Sequence, residues 1–225
     1  MITIRHLTKS YGRRSVLTDI NAALAPGRVY GVVGENGAGK TTLFSCLGGQ
    51  LPYEGDIEHP FPGPLRNSLG FLPTTPVFIS RITGWEYLKF VCAARGVDTE
   101  NFSEQNIFDL PLDEYAENYS TGMSKKLALY GLLLQQNEVY LLDEPFSGVD
   151  IQSNILILDV IAQLKRLGKI VVLSSHVFAT LRECCDELYW LKEGRLIGPI
   201  APPDFEELES GLREGFQRRG LDWLR

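Results

Sequence analysis

The chain has 225 residues, 44% of them hydrophobic and 22% charged, with a formal net charge of −6. That length supports one hydrophobic core, and the usage is ordinary for a globular protein, which excludes a disordered or fibrous chain. The acidic balance leaves no basic footprint for a phosphate backbone, so nucleic acid is not expected as a partner.

The longest apolar run, Leu127 to Leu134, falls far short of the roughly 18 residues that cross a bilayer. Met1 opens directly into Thr3 to Arg5 without an apolar leader, so a cytoplasmic chain is expected. Cys46, Cys92, Cys184 and Cys185 form no CxxC pair and read as reduced thiols rather than a zinc site.

In chain order, the segment up to Leu24 alternates in polarity as an antiparallel sheet does. Arg28 to Gly34, "RVYGVVG", reads as a buried strand feeding a glycine-rich turn and a helix over Lys40 to Leu47. Residues 50–64 are rich in Pro and Gly and read as loops around a short strand, Gly55 to Glu58. A strand at "LGFLP" precedes helices over Thr83 to Ala94 and Met123 to Leu134. Val139 to Leu142 and Ile170 to Ser174 are two further buried strands. Between them Ile151, Ile155, Leu158, Ala162 and Leu164 recur at helical spacing, and Gly168 stands where a C-terminal cap belongs. Past Pro202 and Pro203, Asp204 is placed to cap a last helix with Phe205, Leu208, Leu212 and Phe216 on one face, a face expected to pack on its own domain. Strands alternating with helices predict an α/β fold with a mainly parallel sheet.

Gly34, Glu35, Asn36, Gly37, Ala38, Gly39, Lys40 and Thr41 match G-x-x-x-x-G-K-[ST] between a strand and a helix. Glycines let successive backbone N–H groups turn inward on an anion, and the helix adds its positive end. Lys40 supplies a point charge for the β- and γ-phosphates, Thr41 a hydroxyl for magnesium, and Thr42 belongs to the same phosphate-binding turn. ATP and Mg²⁺ are therefore the expected ligands. Further on, the strand at Val139 to Leu142 runs into Asp143 and Glu144. Buried carboxylates need a cation or donors, and a magnesium-bound nucleotide provides one, with Asp143 expected to hold the metal through water and Glu144 to act as general base for a water.

With those motifs placed, the chain resembles the nucleotide-binding domains of ABC transporters over about residues 2–200. Tyr11, in "KSYG", sits where that family stacks an aromatic ring on adenine. Tyr119, Ser120, Thr121, Gly122 and Met123 occupy the place of the family signature at a helix start. Ser147 to Asp150 look like the D-loop, and His176 looks like the switch histidine. The resemblance implies a P-loop NTPase with an N-terminal antiparallel β subdomain and a helical subdomain at about 76–135 carrying the signature. It also implies one ABC ATPase domain over 1–225, with a helical tail at about 203–225. Ser120 and Gly122 of one subunit would close over the γ-phosphate held by Lys40 of another, as a homodimer or a heterodimer. His176 would orient Glu144. A separate transmembrane permease is the implied partner, with this subunit peripheral on the cytoplasmic face of the membrane. It would dock between the Thr74 loop and the region of Trp85, Tyr87, Phe90, Phe102 and Phe108, most of them core.

The sequence departs from the family at Thr74, where a glutamine touching the metal or its water is usual, and at Thr121 and Met123 in the signature. Thr74→Gln is expected to raise ATPase activity or tighten Mg-ATP binding. The Y-S-x-G-M form is similar to cassettes serving small export-type permeases. The alternative, a soluble or regulatory ABC-type ATPase uncoupled from transport, fits less well. Glu144 and His176 are present, only about a hundred residues without sustained heptads separate Lys40 from Asp143, and one cassette stands alone.

Overall fold

The computed structural model describes residues 1–97 and 106–217. Two sheets organise it. Strands β1 (Ile2–Tyr11), β2 (Arg14–Leu24) and β4 (Glu54–Glu58) form an antiparallel sheet in the order β2-β1-β4. Strands β3 (Arg28–Val33), β5 (Leu69–Leu72), β6 (Val139–Asp143), β7 (Ile170–Ser174), β8 (Glu187–Lys192) and β9 (Arg195–Ile200) form the second, in the order β5-β6-β7-β3-β8-β9. All its neighbours run parallel except β9, which returns antiparallel along β8.

The three central strands are apolar on both faces because both faces are covered. Tyr30 and Val32 of β3, Leu141 of β6 and Val172 of β7 face the antiparallel sheet and helix α1 (Lys40–Leu47). Val29, Val33, Leu142 and Leu173 face the opposite layer of α2 (Gly84–Ala93), α3 (Thr121–Leu134), α4 (Ile151–Arg166), α5 (Phe178–Cys184) and α6 (Phe205–Gln217). Alternate residues pointing to opposite faces is the two-residue strand period, and continuous apolar runs are what a doubly covered parallel sheet requires. Each such Leu or Val contributes about 1.5–3 kcal/mol by leaving water, well above the roughly 1 kcal/mol span of strand propensities, so burial holds these strands in place.

Helix boundaries follow from capping. Thr83 and Glu86 make a reciprocal capping box at the start of α2, and Ser120 caps α3 by accepting from the Met123 amide at 3.2 Å. That cap starts α3 at Thr121, two residues before the expected Met123. Asp150 caps α4, and Gly168, at φ +76°, follows its end. Asp204, expected to cap the last helix, ends a 3₁₀ turn, Pro202–Asp204, that leads straight into α6. Phe205 and Leu208 of α6 are buried in the main core and Leu212 packs against it, while the Phe216 side chain lies outside the described residues. The periodicity did not reveal β8, β9 or α5. Among the described residues no helix is long and apolar enough to cross a membrane.

Candidate active site

Ligands gather at the carboxyl ends of parallel strands, where successive loops leave the sheet side by side. Four such ends converge here. Residue pairing sets Asp143 of β6 beside Ser174 of β7, and Ser174 in turn beside Val32 of β3. The β3 end continues into the glycine loop, the β7 end into His176, and the β5 end into Thr74.

The glycine loop is shaped by close packing as much as by freedom. A Cβ on Gly34 would lie 2.5 Å from the Leu191 carbonyl oxygen, so only glycine lets the loop leave β3 against β8. Gly39 takes φ +109° at the N-cap of α1 and offers no capping side chain, which leaves the first amides of the helix pointing outward. Lys40 is buried, and its Nζ donates to the carbonyls of Gly34 at 2.7 Å and Glu35 at 3.2 Å. Burial lowers its pKa below the ordinary lysine value, while Glu144 and Asp143 pull it back up. An anion entering the loop meets a partly desolvated cation and a helix N-terminus together.

Asp143 is 1% exposed. Its Oδ2 accepts from Thr41 Oγ1 at 2.7 Å and Thr74 Oγ1 at 2.8 Å, and its Oδ1 accepts from Ser174 Oγ at 2.6 Å. Three hydroxyls thus satisfy a buried carboxylate without neutralising it, and the two on Oδ2 are themselves hard oxygen ligands. Among the described residues no group of three or more His, Cys, Asp and Glu side chains could hold a metal alone. A cation here would take its remaining oxygens from the nucleotide and water, the binding habit of Mg²⁺, so the residues present fit it.

Glu144 stands in the left-handed region, φ +54°, a conformation that costs a non-glycine residue about 1 kcal/mol or more and persists only where its surroundings impose it. Its amide donates to Ser174 Oγ at 3.0 Å. Its Oε1 lies 2.7 Å from His176 Nδ1, and Oε2 accepts from the His176 amide at 3.3 Å. The carboxylate is thereby aimed into a cleft of about 570 Å³ lined by Asn36, Gly37, Gly39, Lys40, Thr41, Thr42, Thr74, Asp143, Glu144 and His176. Tyr11 stands at its mouth, 49% exposed, with Lys9 Nζ 5.1 Å from its ring centroid.

Ser120 and Gly122 do not line this cleft. They sit at the tip of α3, with Ser120 exposed and Gly122 pressed so closely on the loop after β6 that a Cβ would lie 2.7 Å from the Gly148 carbonyl.

The family model described as "ABC transporter" matches residues 17–147 of this chain, more than half of it. The chain belongs to the ABC transporter family. It is an ATP-binding ATPase subunit of that family. Among its relatives, the ABC-type transporter ATP-binding protein EcsA of Bacillus subtilis is 28% identical over 210 residues, covering 87% of this chain and 85% of that protein. The bacitracin transport ATP-binding protein BcrA of Enterococcus faecalis is 30% identical, covering 89% of this chain and 69% of that protein. A solved structure of an ATP-binding subunit of an ABC transporter superposes with TM-score 0.81 at 27% identity, covering 95% of this chain and 94% of that one. At 18% identity, the dimeric post-hydrolysis cassette MJ0796 shares the fold, with TM-score 0.80 over 90% of this chain and 99% of its own.

In this ABC ATPase the structure gathers Tyr11, Asn36, Gly37, Gly39, Lys40, Thr41, Thr42, Thr74, Asp143, Glu144 and His176 around one cleft. Gly34 borders it through its carbonyl on Lys40, and Ala38 lies within the loop, its amide donating to Glu35 at 3.1 Å. Sequence reading missed three kinds of residue. Arg14 and Val16 line the cleft from β2 but belong to no motif. Ser174, known only as the end of a strand, bridges Asp143 and Glu144. Lys125 is buried within α3 and donates to the Glu144 carbonyl. A lysine among apolar helix positions was a readable signal. The bridging serine needed the β6–β7 register.

Proposed function

We propose that the subunit hydrolyses ATP at a site shared between two cassettes, beneath a transmembrane permease on the cytoplasmic face of the membrane. The observation that carries this reading is the separation of the two anion-binding elements. The cleft holds a cradle, a metal-side carboxylate and a base, while the helix tip of Ser120 and Gly122 does not line it and leaves Ser120 exposed, free to meet a nucleotide held elsewhere.

Within the cleft, Tyr11 stacks on the adenine, and the amides from Asn36 to Thr42 with Lys40 Nζ grip the phosphates. The Lys40 ammonium exchanges its two carbonyl partners for phosphate oxygens. Magnesium, held by Thr41 and Asp143 with Thr74 beside them, would neutralise charge on the β- and γ-phosphate oxygens. Glu144 accepts a proton from the attacking water as the new oxygen–phosphorus bond forms on the γ-phosphate and the bond to the bridging oxygen breaks, releasing ADP. His176 holds the Glu144 carboxylate by its ring and amide and lies within reach of the γ-phosphate. Ser120 and Gly122 of the second cassette complete the ring of donors, so binding energy draws the two together and moves the permease.

The permease contact fits a patch near the Thr74 loop. Val77 is 88% exposed, Ile79 and Phe90 are exposed and Trp85 is half-buried, whereas Phe108 and Tyr87 belong to the core side. Phe102 lies outside the described residues. The test of the shared site is gel filtration of Glu144→Gln with and without ATP. Slowed hydrolysis traps an ATP-dependent dimer; a persistent monomer at high protein concentration with ATP bound overturns the reading.

A further inference from the structure

Lys125 has two features that core packing alone does not require. It is 1% exposed, and its ammonium donates to two main-chain carbonyls, Glu144 O at 2.7 Å and Ser147 O at 2.8 Å. A buried ammonium is costly to desolvate, and a neutral side chain would fill the same space without that cost. The two carbonyls belong to the turn that begins with Glu144 in its left-handed conformation and is closed by the Ser147 amide on Glu144 O at 3.2 Å. The next residue, Lys126, reaches Asp150 at 3.6 Å, and Gly122 abuts Gly148. The helix therefore grips the segment from Glu144 to Asp150 at both ends and in the middle, and a displacement of one carries the other with it.

We propose that Lys125 is a positioning residue for hydrolysis, tying the helix that bears Ser120 and Gly122 to the backbone that presents Glu144. The inference rests on the shared-site reading. Docking of Ser120 and Gly122 on the nucleotide of the opposite cassette is felt through Lys125 at the base of the subunit's own cleft, so that engagement at one site sets the geometry of the other. Burial lowers the lysine pKa, and Glu144 and Asp143 raise it again, in keeping with a cation held close to the site's carboxylates.

The experiment compares Lys125→Met, Lys125→Gln and Glu144→Gln in the full chain, reading kcat, KM and the equilibrium Kd for ATP. Lys125→Met lowers kcat by about 10- to 100-fold, the effect of a misplacement near 1 Å, with Kd and KM held within about twofold. Lys125→Gln, whose amide can donate to both carbonyls, recovers part of the loss. An unchanged kcat in Lys125→Met, a parallel collapse of nucleotide affinity, or a Gln variant as impaired as Met overturns the proposal. If Lys125→Met does not fold, Lys125→Gln carries the test through amide hydrogen exchange. Residues 144–147 then exchange faster than in the wild type while the remainder is unaltered, and equal exchange overturns the proposal. Glu144→Gln separates the two levels. If it abolishes hydrolysis and Lys125→Met does not slow it, only this inference falls; if it leaves kcat intact, the assignment of the base falls first.

Discussion

Two helix starts in this molecule are the proposed anion-binding elements, and they are built in opposite ways. At α1 the N-cap is Gly39 without a side-chain cap, Lys40 is buried beside the amides, and the walls are supplied by β2, β5, β6 and β7 loops. At α3 the N-cap is Ser120, exposed and bonded to its own helix, and Gly122 beside it packs on Gly148 and Val149 of the loop after β6. The same dipole acts at both ends. The enclosed site can hold a triphosphate alone because it brings a cation and desolvation; the exposed one has only amides and a hydroxyl in water, where each is worth little until another surface excludes solvent. On the proposed shared-site reading, a half-site of this kind has value only in a pair.

That contrast can be broken by removing one element at a time. The largest effect is expected from Lys40→Ala, which deletes the cation of the enclosed site. Loss of a charged hydrogen bond worth about 1.5–3 kcal/mol weakens ATP binding by roughly 10- to 150-fold in isothermal titration, at any protein concentration. Untouched affinity would mean the cradle is not the nucleotide site. Ser120→Ala should differ in kind. ATP affinity of dilute, monomeric protein stays the same, hydrolysis at saturating ATP falls by about tenfold or more, and the lost cap costs about 1 kcal/mol in a melting curve. Equal loss of affinity in the dilute monomer would place Ser120 in the subunit's own cleft and remove the distinction between the two halves.

A smaller change is expected at Thr74, which joins the β5 loop to the metal-side carboxylate at 2.8 Å. Thr74→Gln extends reach toward the metal and raises turnover or tightens Mg-ATP binding, by a few-fold for about 1 kcal/mol of added hydrogen bonding. A variant indistinguishable from the wild type in both measurements would take Thr74 out of the site.

The last effect sharpens the comparison through the packing beneath the two halves. Tyr87, Tyr119, Tyr130 and Tyr140, on the signature side, and Tyr189, on the cradle side, are each pushed up to about 12 by burial, from an ordinary value of 10.0. A folded pKa raised above the unfolded one gives stability that is complete below about pH 10 and is lost as pH climbs through about 12, because the unfolded chain releases those protons first. Tyrosinate absorbance from these rings should therefore rise together with loss of the helical circular dichroism between pH 10 and 12. Titration near pH 10 with the helices intact would contradict their burial.

Much of this was legible in the residues. The glycine loop, the acidic pair at the end of β6 and the helix over Lys40–Leu47 could be read because each is a local pattern whose chemistry depends on neighbours in sequence. The central strands were legible as apolar runs, since a doubly covered strand needs no alternation. By contrast β9, interrupted by Gly198 and Pro199, carries breakers that local reading takes for a loop, and it is a strand because β8 lies alongside to pair with it. Ser174 looked like a strand end, and register alone sets it between Asp143 and Glu144.

The sequence by itself determined the reaction class and the two helix starts proposed to bind anions, because residue type and spacing along one segment dictate which groups can face a phosphate. Tertiary structure decided which hydroxyls satisfy Asp143, how Glu144 is held at φ +54° with His176 against its carboxylate, and that Lys125 reaches the same turn from another helix. Those facts join residues distant in the chain. Their energies come from burial and mutual orientation, which arise when the strands pair and the layers close.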